Sequence, residues 1–152
     1  MNDRLIKWLG DHFGVDLKNN YFQGRIALET VHFDQRCELF VGFLETFEHD
    51  LKVTYRIEFW DSLFDIRGIV LPFNPTFYNE HPNDEVPGEV CFTTNCFNRD
   101  VASNILNRHF NFEQALIPSL NIRVQFCFFN DRNLIVVDVY DDRGCNILFL
   151  RR

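Results

Sequence analysis

The amino-acid sequence predicts a single α+β domain spanning residues 1–152, with a mainly antiparallel sheet of about six strands and three main helices on one of its faces. Three observations carry this expectation. In "KVTYRIEF", Val53, Tyr55, Ile57 and Phe59 alternate with Lys52, Thr54, Arg56 and Glu58, the two-residue period of a strand with one face on a core and one in water. In "FDQRCELFVGFLETF", Cys37, Phe40, Phe43, Leu44 and Phe47 recur at helical spacing, while Gln35, Glu38, Glu45 and Glu48 fall off that stripe. The segment from Ile122 to Leu150 reads as three strands joined by short polar turns, a meander that needs no crossover.

The remaining elements follow in order. Asp3 is placed to cap a first helix carrying Leu5, Ile6, Leu9 and Phe13, and Gly14 stands where such a helix stops. Arg25–Glu29 suits a strand, and Asp34 caps the second helix. After the alternating strand, "LFDIRGIVL" (Leu63–Leu71) reads as a further strand. "NPTFYNEHPNDEVPGE", with Pro75, Pro82, Pro87 and Gly88, reads as the longest loop. Val90–Thr93 is a strand. Asp100 caps a third helix whose stripe is Val101, Ile105, His109, Phe112 and Leu116, and Pro118 ends it. Ile122–Phe129, the hairpin loop Asn130–Asn133, Leu134–Tyr140 and Cys145–Leu150 complete the meander. "FDIRGIVLPF" (Phe64–Phe73) echoes "YDDRGCNILF" (Tyr140–Phe149), which suggests a weak internal repeat, residues 34–73 against 100–150.

Composition narrows the function classes. Eighteen Phe and 46% hydrophobic residues supply a core easily, so the chain is not disordered. No apolar run approaches the roughly 20 residues of a membrane span. The opening "MNDRLIKWLGDHF" lacks the features of a signal peptide and reads as a mature cytoplasmic N-terminus. Cys37, Cys91, Cys96, Cys127 and Cys145 are odd in number and irregularly spaced, which argues against a zinc site, and most lie inside apolar runs, which suits buried thiols in a reducing compartment. A formal charge of −7 opposes nucleic-acid binding and permits steering towards a basic partner.

The motif Asp141-Asp142-Arg143-Gly144 admits two readings. Asp and Gly are turn residues, with Asp bonding the backbone ahead of it, Gly taking positive φ, and Arg143 folding back on Asp141 or Asp142. The alternative makes the carboxylates an acid–base or metal pair, yet neighbouring residues on a strand point to opposite faces and no His or Glu at ligand spacing accompanies them. The five histidines, His12, His32, His49, His81 and His109, form no metal motif. Ser62, Ser103 and Ser119 lack a nucleophile-elbow setting, and the glycines are isolated. The residues therefore point to a turn, no enzyme, no metal and no cofactor.

"VVDVYDDRGCNILF" (Val136–Phe149) resembles the C-terminal signature of a widespread bacterial family of unknown function. Members end in a strand, then Tyr-Asp-Asp-Arg-Gly, then a small or apolar residue, an Asp and aliphatics. Tyr140, Asp141, Asp142, Arg143 and Gly144 match that run, and Asn146 stands where Asp is more usual. Upstream, "YFQGRIALET" and "FDQRCELFVGFLETF" resemble the family's strand and Arg-containing helix, although Ala27-Leu28-Glu29-Thr30 breaks its pattern. Such families often neighbour polymorphic or contact-dependent inhibition toxins. The resemblance thus implies an immunity protein whose partner is a cognate basic toxin domain, of nuclease type, blocked at its active site or substrate groove. On that reading the partner-binding candidates are Tyr78, Glu80, Asp84, Glu85 and Glu89 in the acidic loop, and Glu45, Glu48 and Asp50 at the end of the second helix. A general acidic interaction module, and an unfamiliar enzyme using Asp141 and Asp142, are the alternatives. An uncovered strand edge would also permit a homodimer.

Overall fold

A computed structural model describes residues 3–17, 21–47 and 50–152. The elements run α1 (Asp3–Phe13), β1 (Tyr21–Ala27), α2 (Phe33–Leu44), β2 (Lys52–Phe59), α3 (Leu63–Val70), a 3-10 turn (Leu71–Phe73), β3 (Thr76–Asn79), β4 (Gly88–Thr94), α4 (Arg99–Glu113), β5 (Ile122–Phe129), β6 (Asn133–Asp141) and β7 (Gly144–Arg151). The strands form one antiparallel sheet in the order β1-β7-β6-β5-β2-β4-β3. The α+β class and the terminal meander agree with the sequence. Among the described residues the sheet has seven strands rather than about six, and four helices replace three. No helix among the described residues is long and apolar enough to cross a membrane.

The helices do not share one face. One side of the sheet presents Val53, Tyr55, Ile57, Phe59, Val124, Phe126, Phe128, Val137 and Val139 to α2, α3 and α4. The other presents Cys91, Cys127, Leu134, Val136, Leu148 and Leu150 to Leu5, Trp8, Leu9 and Phe13 of α1. Both faces are therefore covered. The expectation that Thr54, Arg56 and Glu58 face water fails for this reason, since all three are fully buried. Alternation along a strand marks two faces but does not show that a separate helix will cover the polar one.

The expected strand Leu63–Leu71 is instead α3, led by Ser62 at its N-cap position. Leu63, Ile66 and Val70 are spaced at three and four residues and turn inward, a helical period hidden by the apolar residues between them. The two echoing segments consequently differ in structure: Phe64–Phe73 is helix and 3-10 turn, whereas Tyr140–Phe149 is strand, turn and strand. The long loop also contains β3, a short edge strand bulged between Phe77 and Asn79. β1 lies earlier than expected and ends at Ala27.

Three caps also differ. Asp3 lies within α1, His32 precedes α2, and α4 is capped by Asn98, whose side chain accepts the Val101 amide, rather than by Asp100. Gly14 leaves α1 at φ +68°, as its position suggests. The α4 helix stops at Glu113, ahead of Pro118, through Leu116 N–H to Asn111 O at 2.9 Å and Ala115 N–H to Phe112 O at 3.2 Å. This termination places Ala115 at φ +53°, where Gly is the ordinary occupant. Phe112 and Leu116, expected on the buried stripe, are exposed. Ala115→Gly relieves the Cβ clash of a left-handed residue and should raise stability by about 0.5–1 kcal/mol, read by urea denaturation at unchanged m-value.

Candidate functional site

Strand register builds a row of polar side chains under α1. Arg56 on β2 stands opposite Gln125 on β5, and Gln125 opposite Asp138 on β6. In the adjoining row Glu58 lies between Glu89 on β4 and Arg123 on β5. Two carboxylates thus face each other across β2 and β4, an arrangement that repels unless a cation is shared. Arg56 is that cation. Its Nη1 donates to Glu58 Oε1 at 2.7 Å and to Gln125 Oε1 at 2.7 Å, and its Nε donates to Glu89 Oε1 at 3.0 Å. The guanidinium lies 5.3 Å from the Trp8 ring centroid, so α1 closes the site with an aromatic face. Gln125 Nε2 donates onward to Asp138 Oδ1 at 2.9 Å, and Arg123 grips both Asp138 oxygens at 3.0 and 2.6 Å. Sequence reasoning missed this cluster. Its signal was present in "RIE" of β2, "RVQ" of β5 and Asp138 of β6, which share one parity.

The acidic loop is anchored to the network through Glu89. Its path is fixed by side chains bonding their own backbone. Asn79 Oδ1 accepts the His81 amide at 3.0 Å while its Nδ2 donates to Pro87 O at 2.8 Å. Asn83 Oδ1 accepts the amides of Glu85 and Val86, each at 2.8 Å, and Asn83 N–H reaches Val86 O. Such Asx turns hold a loop without a sheet. Arg4 of α1 donates to Glu85 O, and Arg67 of α3 pairs with Glu80 at 3.1 Å. Between α1 and this loop lies an open cleft of about 270 Å3, bordered by Arg4, Lys7, Trp8, His12, Tyr78 and Glu89. His12 stacks on Trp8, and burial pushes its pKa below the ordinary value, with Arg152 adding to the effect. Burial also raises the Tyr78 phenol, whose oxygen lies 3.7 Å from Cys91 Sγ.

The sequence candidates therefore separate into different roles. Tyr78, Asp84 and Glu85 are exposed. Glu80 is tied to Arg67, and Glu89 is largely enclosed against Arg56. Glu45 shares Arg99 with Glu38, joining α2 to α4. Asp50 is exposed, and Glu48 lies outside the described residues. Among the candidates described, Asp84, Glu85 and Asp50 are thus the exposed carboxylates with no ion pair, while Glu45, Glu80 and Glu89 are each held by an arginine.

The Asp-Asp-Arg-Gly turn divides its two carboxylates. Asp141 accepts the Arg143 amide at 2.8 Å and the Arg143 guanidinium at 2.8 and 2.5 Å. Asp142, buried, instead accepts from Arg36 of α2 and from Gln114 beyond α4, each at 2.9 Å. Gly144 does not take positive φ as expected. A Cβ there would stand 2.1 Å from Ile26 O, so glycine is required by the close approach of β1. Behind the turn His109 is buried, with Nε2 lacking a partner among the described residues. Among those residues no three His, Cys, Asp or Glu side chains converge as a metal site needs. Comparison with protein families, curated proteins and solved structures finds no match to the chain.

Two outcomes test this geometry. Removing the shared cation with Arg56→Met leaves Glu58 and Glu89 facing each other under α1 and should cost about 3–5 kcal/mol in denaturant unfolding. Burial lowers the His109 pKa from 6.5 to about 4, opposed only in part by the Ile122 backbone and by Asp141 and Asp142. The unfolded chain then binds the proton more readily. The resulting stability is complete above pH 6.5 and is lost as pH falls towards 4, by about 3 kcal/mol. A His109→Asn variant should flatten the stability–pH curve in that window. Asp141, held below its ordinary pKa by Arg143 despite a burial penalty, titrates at lower pH and leaves the window distinct.

Proposed function

We propose that the chain is an immunity protein that binds and neutralises a cognate basic toxin domain, of nuclease type, by covering its active site or substrate groove in the bacterial cytoplasm. The observation that carries this reading is the acidic loop itself. It offers exposed Asp84 and Glu85 beside exposed Tyr78 and Val86, on a backbone already tied by Asn79, Asn83, Arg4 and Arg67. A loop ordered before contact loses little conformational entropy on binding, and an aromatic beside carboxylates is the composition of an interface anchor. The net charge of −7 extends the attraction beyond the contact and steers a basic partner in. Nucleic-acid-cleaving domains carry basic grooves for phosphate, so such a groove is the complementary surface. An acidic interaction module with a different basic partner would use the same loop, and partner identity separates the two.

The test is co-purification with, and rescue from, a basic toxin domain encoded beside this gene. The proposal expects a tight complex, protection of cells, and an association rate that falls steeply with salt. Neither protection nor complex formation with that domain would remove the toxin reading. Charge reversal of the free carboxylates, Asp84→Lys with Glu85→Lys, should slow association by about tenfold or more at low salt while leaving stability within about 0.5 kcal/mol. Equal association rates for variant and native protein would take the loop out of the interface.

A further inference from the structure

The two edges of the sheet are finished differently. β3, at one end, is four residues long, is bulged between Phe77 and Asn79, and lies between Pro75 and Pro82. Short, bulged strands flanked by proline are an ordinary means of keeping an edge from pairing. β1, at the other end, is seven residues long, contains neither proline nor lysine, and follows β7 without a register shift. No strand among the described residues lies against its outer side. Gln23, Arg25 and Ala27 are exposed along it. Arg25, the strand's single charged residue, reaches Tyr140 of β6 at 3.1 Å and Glu29 at 3.3 Å, so its side chain is held over its own sheet. A long, regular, uncharged edge of this kind is a template for another strand.

The end of β1 fixes its backbone phase. Leu28 N–H donates to Arg143 O at 2.6 Å, and Ile26 O lies close against Gly144, so the even-numbered residues turn their amides and carbonyls towards β7. Those of residues 21, 23, 25 and 27 therefore point outwards, disposed symmetrically about Gly24. We infer that β1 pairs antiparallel with β1 of a second copy of this chain, about a twofold axis at Gly24, so that the two sheets become one. The residues select this occupant and this register. Position 23 faces 25 of the second copy and 21 faces 27, so each outward group meets its complement. On one face the register row Ile135, Phe149, Phe22 runs into Ile26, Cys145 and Val139 of the second copy, apolar throughout, and Phe149 in that row is 41% exposed. On the other face Arg25 meets Gln23 instead of its own image. Moving the axis to residue 25 would set two arginines opposite each other, and moving it to residue 23 would shorten the overlap. A twofold pairing of β1 with itself closes after two copies, whereas pairing with the β3 edge would propagate a fibre, and the bulge in β3 opposes that. The acidic loop adjoins β3 at the far end of the sheet, so the dimer leaves it open and does not depend on the partner being a toxin.

Sedimentation equilibrium of the full chain tests the pairing. The native protein should dimerise with a Kd of about 100 µM or tighter. Each copy carries −7, so added salt should strengthen the dimer, the reverse of its effect on a basic partner. Gln23→Pro removes an outward N–H and no bond to β7, and should weaken the dimer about tenfold or more while the thermal midpoint is nearly kept. Crosslinking reads the register independently, whatever the stability of the proline variant. With exposed Cys96 replaced by Ser, Gly24→Cys places two thiols on facing residues whose Cα atoms are ~4.5 Å apart, within disulfide reach. Mild oxidation should then give a dimer on a non-reducing gel. Ala27→Cys, roughly 20 Å from its image in this register, should not. A monomer at every concentration up to roughly 1 mM would overturn the inference. So would a dimer that Gln23→Pro leaves unchanged, or Ala27→Cys crosslinking as readily as Gly24→Cys. A chain that stays monomeric while Gln23→Pro weakens its complex with another protein would assign the edge to that protein's strand instead.

Discussion

A guanidinium with no exposure to water sits at the middle of the sheet, and much of the arrangement around it follows from that placement. Arg56 lies on a strand flanked by two others and covered on both faces, so its charge must be met inside the protein. Glu58, Glu89 and Gln125 meet it, and Gln125 and Arg123 in turn satisfy Asp138. Each partner comes from a different strand or a different place on the same strand. A register slip by one residue anywhere in β2, β4, β5 or β6 would turn one of these charges towards the Phe-rich core. The network therefore fixes the order and register of the central strands, while the apolar face supplies the bulk of the burial.

The same network links core to surface. Glu89 begins the buried row and ends the acidic loop, so the loop's return to the sheet is set by a bond to Arg56 rather than by a flexible connection. Arg4 reaches the loop from α1, and Trp8 of that helix covers Arg56. Helix, ion network and loop are thus one mechanical unit. The terminal turn does comparable work at the other end of the sheet, where Asp142 ties β6 to α2 and to the segment beyond α4. In neither place does a pair of carboxylates stand together unpartnered, and the loop that remains available to a partner owes its shape to groups that are not.

What was legible in the sequence was local. The meander from Ile122 to Leu150 and the stripe of α2 are written as uninterrupted periods, and Asn130 bonds the amides of Arg132 and Asn133 as a hairpin residue should. Leu63–Leu71 reads as a strand because apolar residues between the helical positions imitate one, whereas Leu63–Val70 is helix. The buried row was invisible for a different reason. A polar residue on a strand looks solvated until another element is known to cover it, and α1 is more than forty residues from Arg56 in sequence. Of the site, Asp84 and Glu85 were legible as exposed acids, whereas the inward turn of Glu89 and the pairing of Glu80 depend on arginines that only the fold brings near.

Binding through the acidic loop as proposed requires that loop to be ordered before any partner arrives. Backbone order parameters of residues 79–89 in the free protein, from 15N relaxation, test this most directly. Values near 0.85, matching the adjoining strand, are what the side-chain bonds and the Arg56 anchor require, whereas values below about 0.6 would show a loop that those interactions do not hold.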